Sequence, residues 1–508
     1  MTPSDSDLDR RTVLRAVAGL ALAGPVAGCN DSADDRTDTA SGPATTGRPT
    51  ATVTPTVTAP PTKTQTPPLS PTPTASHTPT PTVTATATPT GRETASVLVT
   101  RLRAGEFEAA TDLFADRLAS RMPPSRLERY WLGLTAQHGP VESVGSVETD
   151  TREGREVLVV PVDCAEATQD LQLATGDEGL LTGLWFPGEY SSPAYVDGSA
   201  FSERTLTLEP EGCSLPATLA VLDGDGDGDA ATATPTASDD SVPGVVLVHG
   251  SGPHDRDETI GPNKPFRDLA QGLASRGVAV LRYEKRTHAC DVPRDTWAID
   301  DVIVDDAVHA LGVLRDQDEV DPDRTVVAGH SIGATCVPRI AERDGDAAGG
   351  AVLAGNARPF TEVYPEQVRH IFEVQGGLSM REERQVEQVE QLMAAVEDGS
   401  VADGRQIGPL PGIWWKTLYE YDQVATANRV DAPLFVAHGG RDFQIPVGPA
   451  LAGWREGLDD GTHRFERYPD CSHLFQPGTS PSLTTEYVFP DNVTHDLVAD
   501  LSDWVSGL

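Results

Sequence analysis

Gly329-His330-Ser331-Ile332-Gly333 holds a hydroxyl between two glycines, a spacing that could turn a serine into a nucleophile. A serine Oγ is inert until a base takes its proton, and it reaches a carbonyl carbon only from a sharp, exposed turn. Glycines two residues either side leave room for a strand and a helix to close on such a turn. A carboxylate, Asp442, and an imidazole, His473, follow later in the chain. In that order the three could carry acyl transfer, with His473 accepting the Ser331 proton and Asp442 fixing the tautomer of the ring. Asp470 is the rival acid, but it shares a short loop with His473 and is poorly placed to reach Nδ1. His438, His463 and His495 are rival bases, ranked below His473 because geometry decides before pKa.

These residues need an exact scaffold. Arg324-Thr-Val-Val-Ala-Gly is apolar and β-branched like a buried parallel strand, and Ile332 to Arg343 is helix-compatible apart from Pro338. Strand, elbow and helix are what a nucleophilic serine requires. A tetrahedral oxyanion also needs two backbone amides, one from the residue after the nucleophile and one from a loop after an early strand. Ile332 offers the first. Val245 to Val248 reads as the early strand and runs into His249-Gly250-Ser251-Gly252-Pro253, so Ser251, or Gly250 beside it, offers the second. His249 is expected to pack beneath this loop. Pro433 to Ala437 is an apolar strand that delivers Asp442 to the carboxyl edge of a sheet, and Arg464 to Tyr468 is the last strand before His473.

The chain has 508 residues and a formal charge of −38, and lysine occurs only at 63, 264, 285 and 416. Such a field repels polyanions and excludes phosphate-backbone binding, so no nucleic-acid partner is expected. Asp-rich, Lys-poor composition resembles proteins of salt-loving archaea, where a Debye length of roughly 3 Å at 1 M salt removes most self-repulsion. Residues 1–29 pair Arg10-Arg11 with a short apolar stretch and end in Val26-Ala27-Gly28-Cys29. This resembles a twin-arginine export signal with a lipobox, which implies lipidation at Cys29 and an anchor on the outer face of the membrane. Residues 30–92 alternate Thr and Pro with almost nothing to bury and are expected to be a disordered, semi-rigid spacer. Residues 223–240 read as a polar surface insertion.

No Gly-rich phosphate loop and no Cys/His metal spacing occurs, so neither a cofactor nor a metal is called for. Apart from Cys29 the cysteines are 164, 213, 290, 336 and 471. None is given a catalytic role, and a Cys164–Cys213 bridge is one option for an exported chain.

Residues 93–187 read as a small α+β domain: helices over Ala95–Arg103, Glu106–Leu118 and Ser125–His138, then strands over Val141–Val147, Glu156–Val162, Thr168–Ala174 and Leu180–Phe186. It resembles nuclear-transport-factor-like folds, with Trp131 and Trp185 expected in its core and no motif that is chemical. Residues 188–508 alternate strands and helices, the mark of a parallel sheet with crossovers. An entry hairpin is expected over Arg204–Leu208 and Ala217–Leu222, and a helical cap over about 358–430, with Trp414, Trp415, Tyr419 and Tyr421 near its end.

The run from His249 to Ala270, with Ala279 to Arg286 after it, resembles α/β-hydrolase esterases related to dienelactone hydrolases and the serine aminopeptidase group. The resemblance implies a mostly parallel eight-stranded sheet, the order Ser, Asp, His, and a carboxylesterase acting on a small-molecule ester. Peptidase and thioesterase chemistry stay open, as does a non-catalytic surface-binding lipoprotein, because fold does not choose function. Glu284, His438 and Ala334 depart from the usual pattern without touching the three residues. The charged segment Asp255–Glu258 could line a site, and a salt-bridged loop is the favoured reading.

Overall fold

The computed structural model describes residues 90–508 except 153, 177, 223–240, 375 and 460. The paired arginines, Cys29, the Thr/Pro stretch up to residue 89 and the Asp-Gly insertion lie outside these residues.

The first helix, Gly91–Arg103, starts on a capping box in which Thr90 Oγ1 accepts from Glu93 N and the Glu93 carboxylate accepts from Thr90 N. Helices Phe107–Thr111, Asp116–Arg121 and Pro124–His138 follow. The expected single helix over Glu106–Leu118 is thus two short ones. The break falls where Ala115 N donates to Leu181 O and Leu181 N donates to Leu113 O, so the chain between the helices pairs with a strand instead. Strands β1 (Val141–Val144), β2 (Glu148–Arg152), β3 (Arg155–Cys164), β4 (Thr168–Thr175) and β5 (Leu181–Trp185) form an antiparallel sheet ordered β1-β3-β4-β5, with β2 also pairing β3. The helices cover one face of it through Leu98, Leu102, Leu127 and Trp131. Trp185 departs from its expected place in this core: it is 37% exposed and donates Nε1–H to Gln172 Oε1.

The second sheet has eight strands: β6 (Phe201–Leu208), β7 (Leu215–Leu222), β8 (Val242–Val248), β9 (Ala279–Tyr283), β10 (Val320–His330), β11 (Gly349–Leu353) and, after two-residue strands β12 (Gln406–Ile407) and β13 (Leu410–Pro411), β14 (Leu434–Gly439) and β15 (Arg464–Tyr468). Their order is β15-β14-β11-β10-β8-β9-β7-β6, parallel except where β7 runs antiparallel to both neighbours. This is the mostly parallel eight-stranded sheet expected. The inner strands β8, β11 and β14 are buried and largely apolar because both faces are covered, while the edge strands β6 and β15 carry charged and exposed residues. Val245 and Leu247 pack on one side with helices Pro265–Ala274 and His495–Ser506, while Val246 and Val248 pack on the other with Asp305–Arg315 and Ile332–Asp344. Helices Phe360–Val374, Met380–Glu397, Gly412–Tyr419 and Gln423–Ala427 make the cap. Among the described residues no helix is long and apolar enough to cross a membrane.

The disulfide joins Cys213 to Cys290, not Cys164 to Cys213. Register explains the pairing: Ala217 lies opposite Tyr283, so the turn before β7 sits beside the segment leaving β9. Cys164 ends β3 inside the small domain's own core and is free.

Candidate active site

Parallel strands end on one edge, and the singled-out residues collect there. β10 ends at His330 and Ser331 follows with φ 56° and ψ −116°, a backbone conformation that side chains rarely adopt. The elbow is possible because of its glycines. A Cβ on Gly329 would meet Gly333 C at 2.3 Å, and one on Gly333 would meet Val248 O at 2.3 Å. Strand, turn and helix therefore touch backbone to backbone, and Ser331 N is fixed by Leu353 O at 2.9 Å.

Asp442 and His473 come from the loops after β14 and β15. These loops are zipped together by Gly440 N to Tyr468 O at 2.7 Å and Arg441 N to Cys471 O at 2.9 Å. His473 Nδ1 lies 2.7 Å from Asp442 Oδ2, and Asp442 Oδ1 accepts from Gln444 N at 2.8 Å and Ile445 N at 2.9 Å. Three partners fix this carboxylate, which fixes the ring. Asp470 is exposed and takes part through its backbone oxygen. His463 Nδ1 accepts from Leu434 N, His495 faces Arg276, and His438 is fully buried with its pKa held down at about 4 by desolvation. Ser331 and His473 line one cavity of about 40 Å³, together with Gly250, Ser251, Ile260, Phe360, Gln444 and Tyr487.

Of the two loop amides, Gly250 N is occupied: it donates to Glu258 Oε1 at 2.6 Å. This corrects the expectation that Gly250 could supply an oxyanion donor. Ser251 N has no acceptor among the described residues, and neither has Ile332 N at the first turn of its helix. Lys285 Nζ, buried and pushed down to about 8 by desolvation, donates to Gly250 O at 2.6 Å. Gly250 C=O and Ser251 N–H belong to one trans peptide, so the cation on the oxygen fixes and polarises the opposite N–H. His254 Nε2 holds Ser251 O at 2.6 Å, and His249 packs beneath, with Nε2 against Asp255 O at 3.0 Å.

Glu258 and His330 are the residues sequence reasoning missed. Asp255, Arg256 and Asp257 serve the loop through Thr259, Glu284, Lys264 and Arg282, in line with the favoured reading. Glu258, with φ 51°, instead turns inward and lines the cavity. Its Oε2 lies 3.0 Å from His330 Nδ1, and His330 Nε2 donates to His473 O at 3.0 Å. A carboxylate this close to one ring nitrogen, with the other nitrogen donating to a carbonyl, favours the protonated ring. Burial pushes Glu258 up and His330 down, yet each prevails over it by facing the other: the Glu258 pKa falls to about 2 and that of His330 rises. One buried pair thus joins the oxyanion loop, the elbow and the His473 loop. Glu258→Ala is expected to lower unfolding free energy by about 3 kcal/mol, the scale of stripping one partner from a buried ion pair. Glu258→Gln, which keeps an acceptor for Gly250 N, should cost less, and denaturant melts at neutral pH compare the two.

Cys336 and Cys471 lie near the site but are buried, with their thiols pushed up to about 12 by desolvation, which leaves them un-ionised. Trp414 and Trp415 are buried on the cap helix Gly412–Tyr419 and back Phe360, which with Tyr487 lines the cavity; Tyr419 is 37% exposed. Among the described residues no group of three His, Cys, Asp or Glu could hold a metal ion.

A family model described as Alpha/beta hydrolase family matches residues 245–483. Esterase EstD of Thermotoga maritima is 28% identical over 417 residues, which cover 81% of this chain and 95% of that protein. Among solved structures, Est1E from Butyrivibrio proteoclasticus matches at TM-score 0.38 and 16% identity over 60% of this chain and 99% of that one. An acylaminoacyl peptidase from Pyrococcus horikoshii matches at TM-score 0.40 and 13% identity over 72% and 50%. Strand order, crossover pattern and matched family model lead to one assignment: the chain carries an α/β-hydrolase fold.

Proposed function

We propose that this protein is a serine carboxylesterase that works through an acyl-enzyme on small-molecule esters. The observation that carries the reading is the 2.7 Å contact of Asp442 with His473 at the rim of the cavity that Ser331 lines. Ser331 Oγ bonds to the ester carbonyl carbon as His473 Nε2 takes its proton, and Asp442 stabilises the imidazolium. The amides of Ser251 and Ile332 hold the oxyanion. Collapse breaks the carbon–oxygen bond to the alcohol, which leaves with the His473 proton, and water then releases the acid by the same steps reversed in role. The similarity to an esterase along most of both chains supports the choice of ester over amide or thioester. We further propose that the chain is exported through its paired arginines and held at the outer face of the membrane by a lipid on Cys29, and that it works in concentrated salt.

The test is a panel of acyl esters, acyl thioesters and aminoacyl amides assayed in molar salt. Hydrolysis of esters with the highest kcat/KM is expected. Faster turnover of amides would make the protein a peptidase, and no turnover of any would favour a binding role.

A further inference from the structure

The fourth helix of the small α+β domain, Pro124–His138, ends against the loops that carry Asp442 and His473. The last carbonyls of a helix lack partners within it. Here Ala136 O accepts from Thr479 N at 2.6 Å and from Arg441 Nη2 at 3.3 Å, and Thr135 O accepts from Thr479 Oγ1 at 2.8 Å. Gln137 Nε2 donates to Pro477 O at 2.9 Å, and Thr485 Oγ1 donates to Arg129 O at 2.6 Å. Arg441 immediately precedes Asp442. Its side chain is 5% exposed, and it also binds Glu486 Oε2 at 2.5 Å and Asp470 O at 3.4 Å.

The short helix Thr484–Val488 and the residue after it fan out in three directions. Glu486 meets Arg441, Tyr487 lines the cavity and accepts at its hydroxyl from Gln444 Nε2 at 3.1 Å, and Phe489 sits fully buried in the core of the small domain. Phe489 packs edge-on against His138 and Phe186. One segment therefore belongs at once to the acid loop, the substrate cavity and the second domain.

We infer that the small domain is a positioning element for the triad, acting through Arg441 and the 482–489 segment to hold Asp442, His473 and the Tyr487 wall in register. The inference rests on the esterase reading above. Arg441 touches no substrate; it sets where Asp442 stands. Its guanidinium spans a carboxylate and two carbonyls from three stretches of chain, a geometry that lysine, with one compact ammonium, cannot reproduce. A second route to the same surface is Gly133, whose Cβ would lie 2.6 Å from the backbone carbonyl of Thr485. Gly133→Ala removes no charge and favours the helix, but wedges it away from the 482–489 segment.

The test uses the full chain in five forms, wild type, Ser331→Ala, Arg441→Met, Arg441→Lys and Gly133→Ala, with kcat, KM and thermal unfolding measured on p-nitrophenyl acetate. Arg441→Met and Gly133→Ala are expected to lose about 100-fold in kcat, the scale of a misplacement of about 1 Å, while KM moves far less and the protein stays folded at the assay temperature. Arg441→Lys should recover part of the loss. Unchanged kcat in Arg441→Met and Gly133→Ala beside an active wild type would overturn the inference, as would a loss that merely follows the unfolded fraction. A wild type no faster than Ser331→Ala overturns the esterase reading instead.

Discussion

Ser331→Ala is expected to lower kcat on any hydrolysed ester by about a million-fold, the scale of removing a triad nucleophile, with KM little changed. The methyl group fits the elbow without new contacts, because the backbone there is set by Gly329, Gly333 and the Ser331 N to Leu353 O bond and not by the hydroxyl. The cavity, the two free amides and the Asp442–His473 pair are left in place. Residual rate over water, about a thousandfold in comparable triads, then measures what the amides of Ser251 and Ile332 contribute alone. Stopped assays at high enzyme concentration, with far-ultraviolet circular dichroism to show retained fold, separate loss of chemistry from loss of structure.

Asp442→Asn is expected to cost about 10⁴-fold in kcat through a change of tautomer. Asp442 Oδ1 accepts from two backbone amides, Gln444 N and Ile445 N, so the asparagine oxygen takes that position and its NH₂ faces His473 Nδ1. A donor there forces the neutral ring to carry its hydrogen on Nε2, where it cannot accept the Ser331 proton. The loop should keep its place, since both backbone bonds survive. Asp470→Asn, at an exposed residue, is expected to leave kcat unchanged, and a large loss there with none at Asp442→Asn would reverse the assignment of the acid.

Much of this architecture is legible in the sequence because local rules suffice for it. The elbow needs glycine at fixed offsets from the serine, and continuous apolar runs such as Val245–Val248 and Pro433–Ala437 announce strands buried on both faces. The entry hairpin and the cap follow from alternation and from the length between strands. What was hidden depends on distant contacts. Glu258 reads as one more charge in an acidic loop, and only the fold shows it turned under Gly250 against His330. Its one local trace is the histidine inside the pentapeptide. The Cys213–Cys290 bridge follows from the register of β7 on β9, which cysteine spacing does not encode. The break between Phe107–Thr111 and Asp116–Arg121 exists because Leu181 claims the intervening backbone, a tertiary demand that overrides helical periodicity. Arg441 likewise looks like a surface arginine beside an acid until the small domain's helix closes over it.

The central claim is that Ser331 is the nucleophile. The direct measurement is peptide mass spectrometry of the protein after brief exposure to a fluorophosphonate in molar salt, where screening offsets the formal charge of −38. A single phosphonyl adduct on the peptide bearing Ser331, absent from Ser331→Ala and much slowed in Asp442→Asn, is the expected result. An adduct on another residue, or equal uptake by wild type and Ser331→Ala, would contradict it.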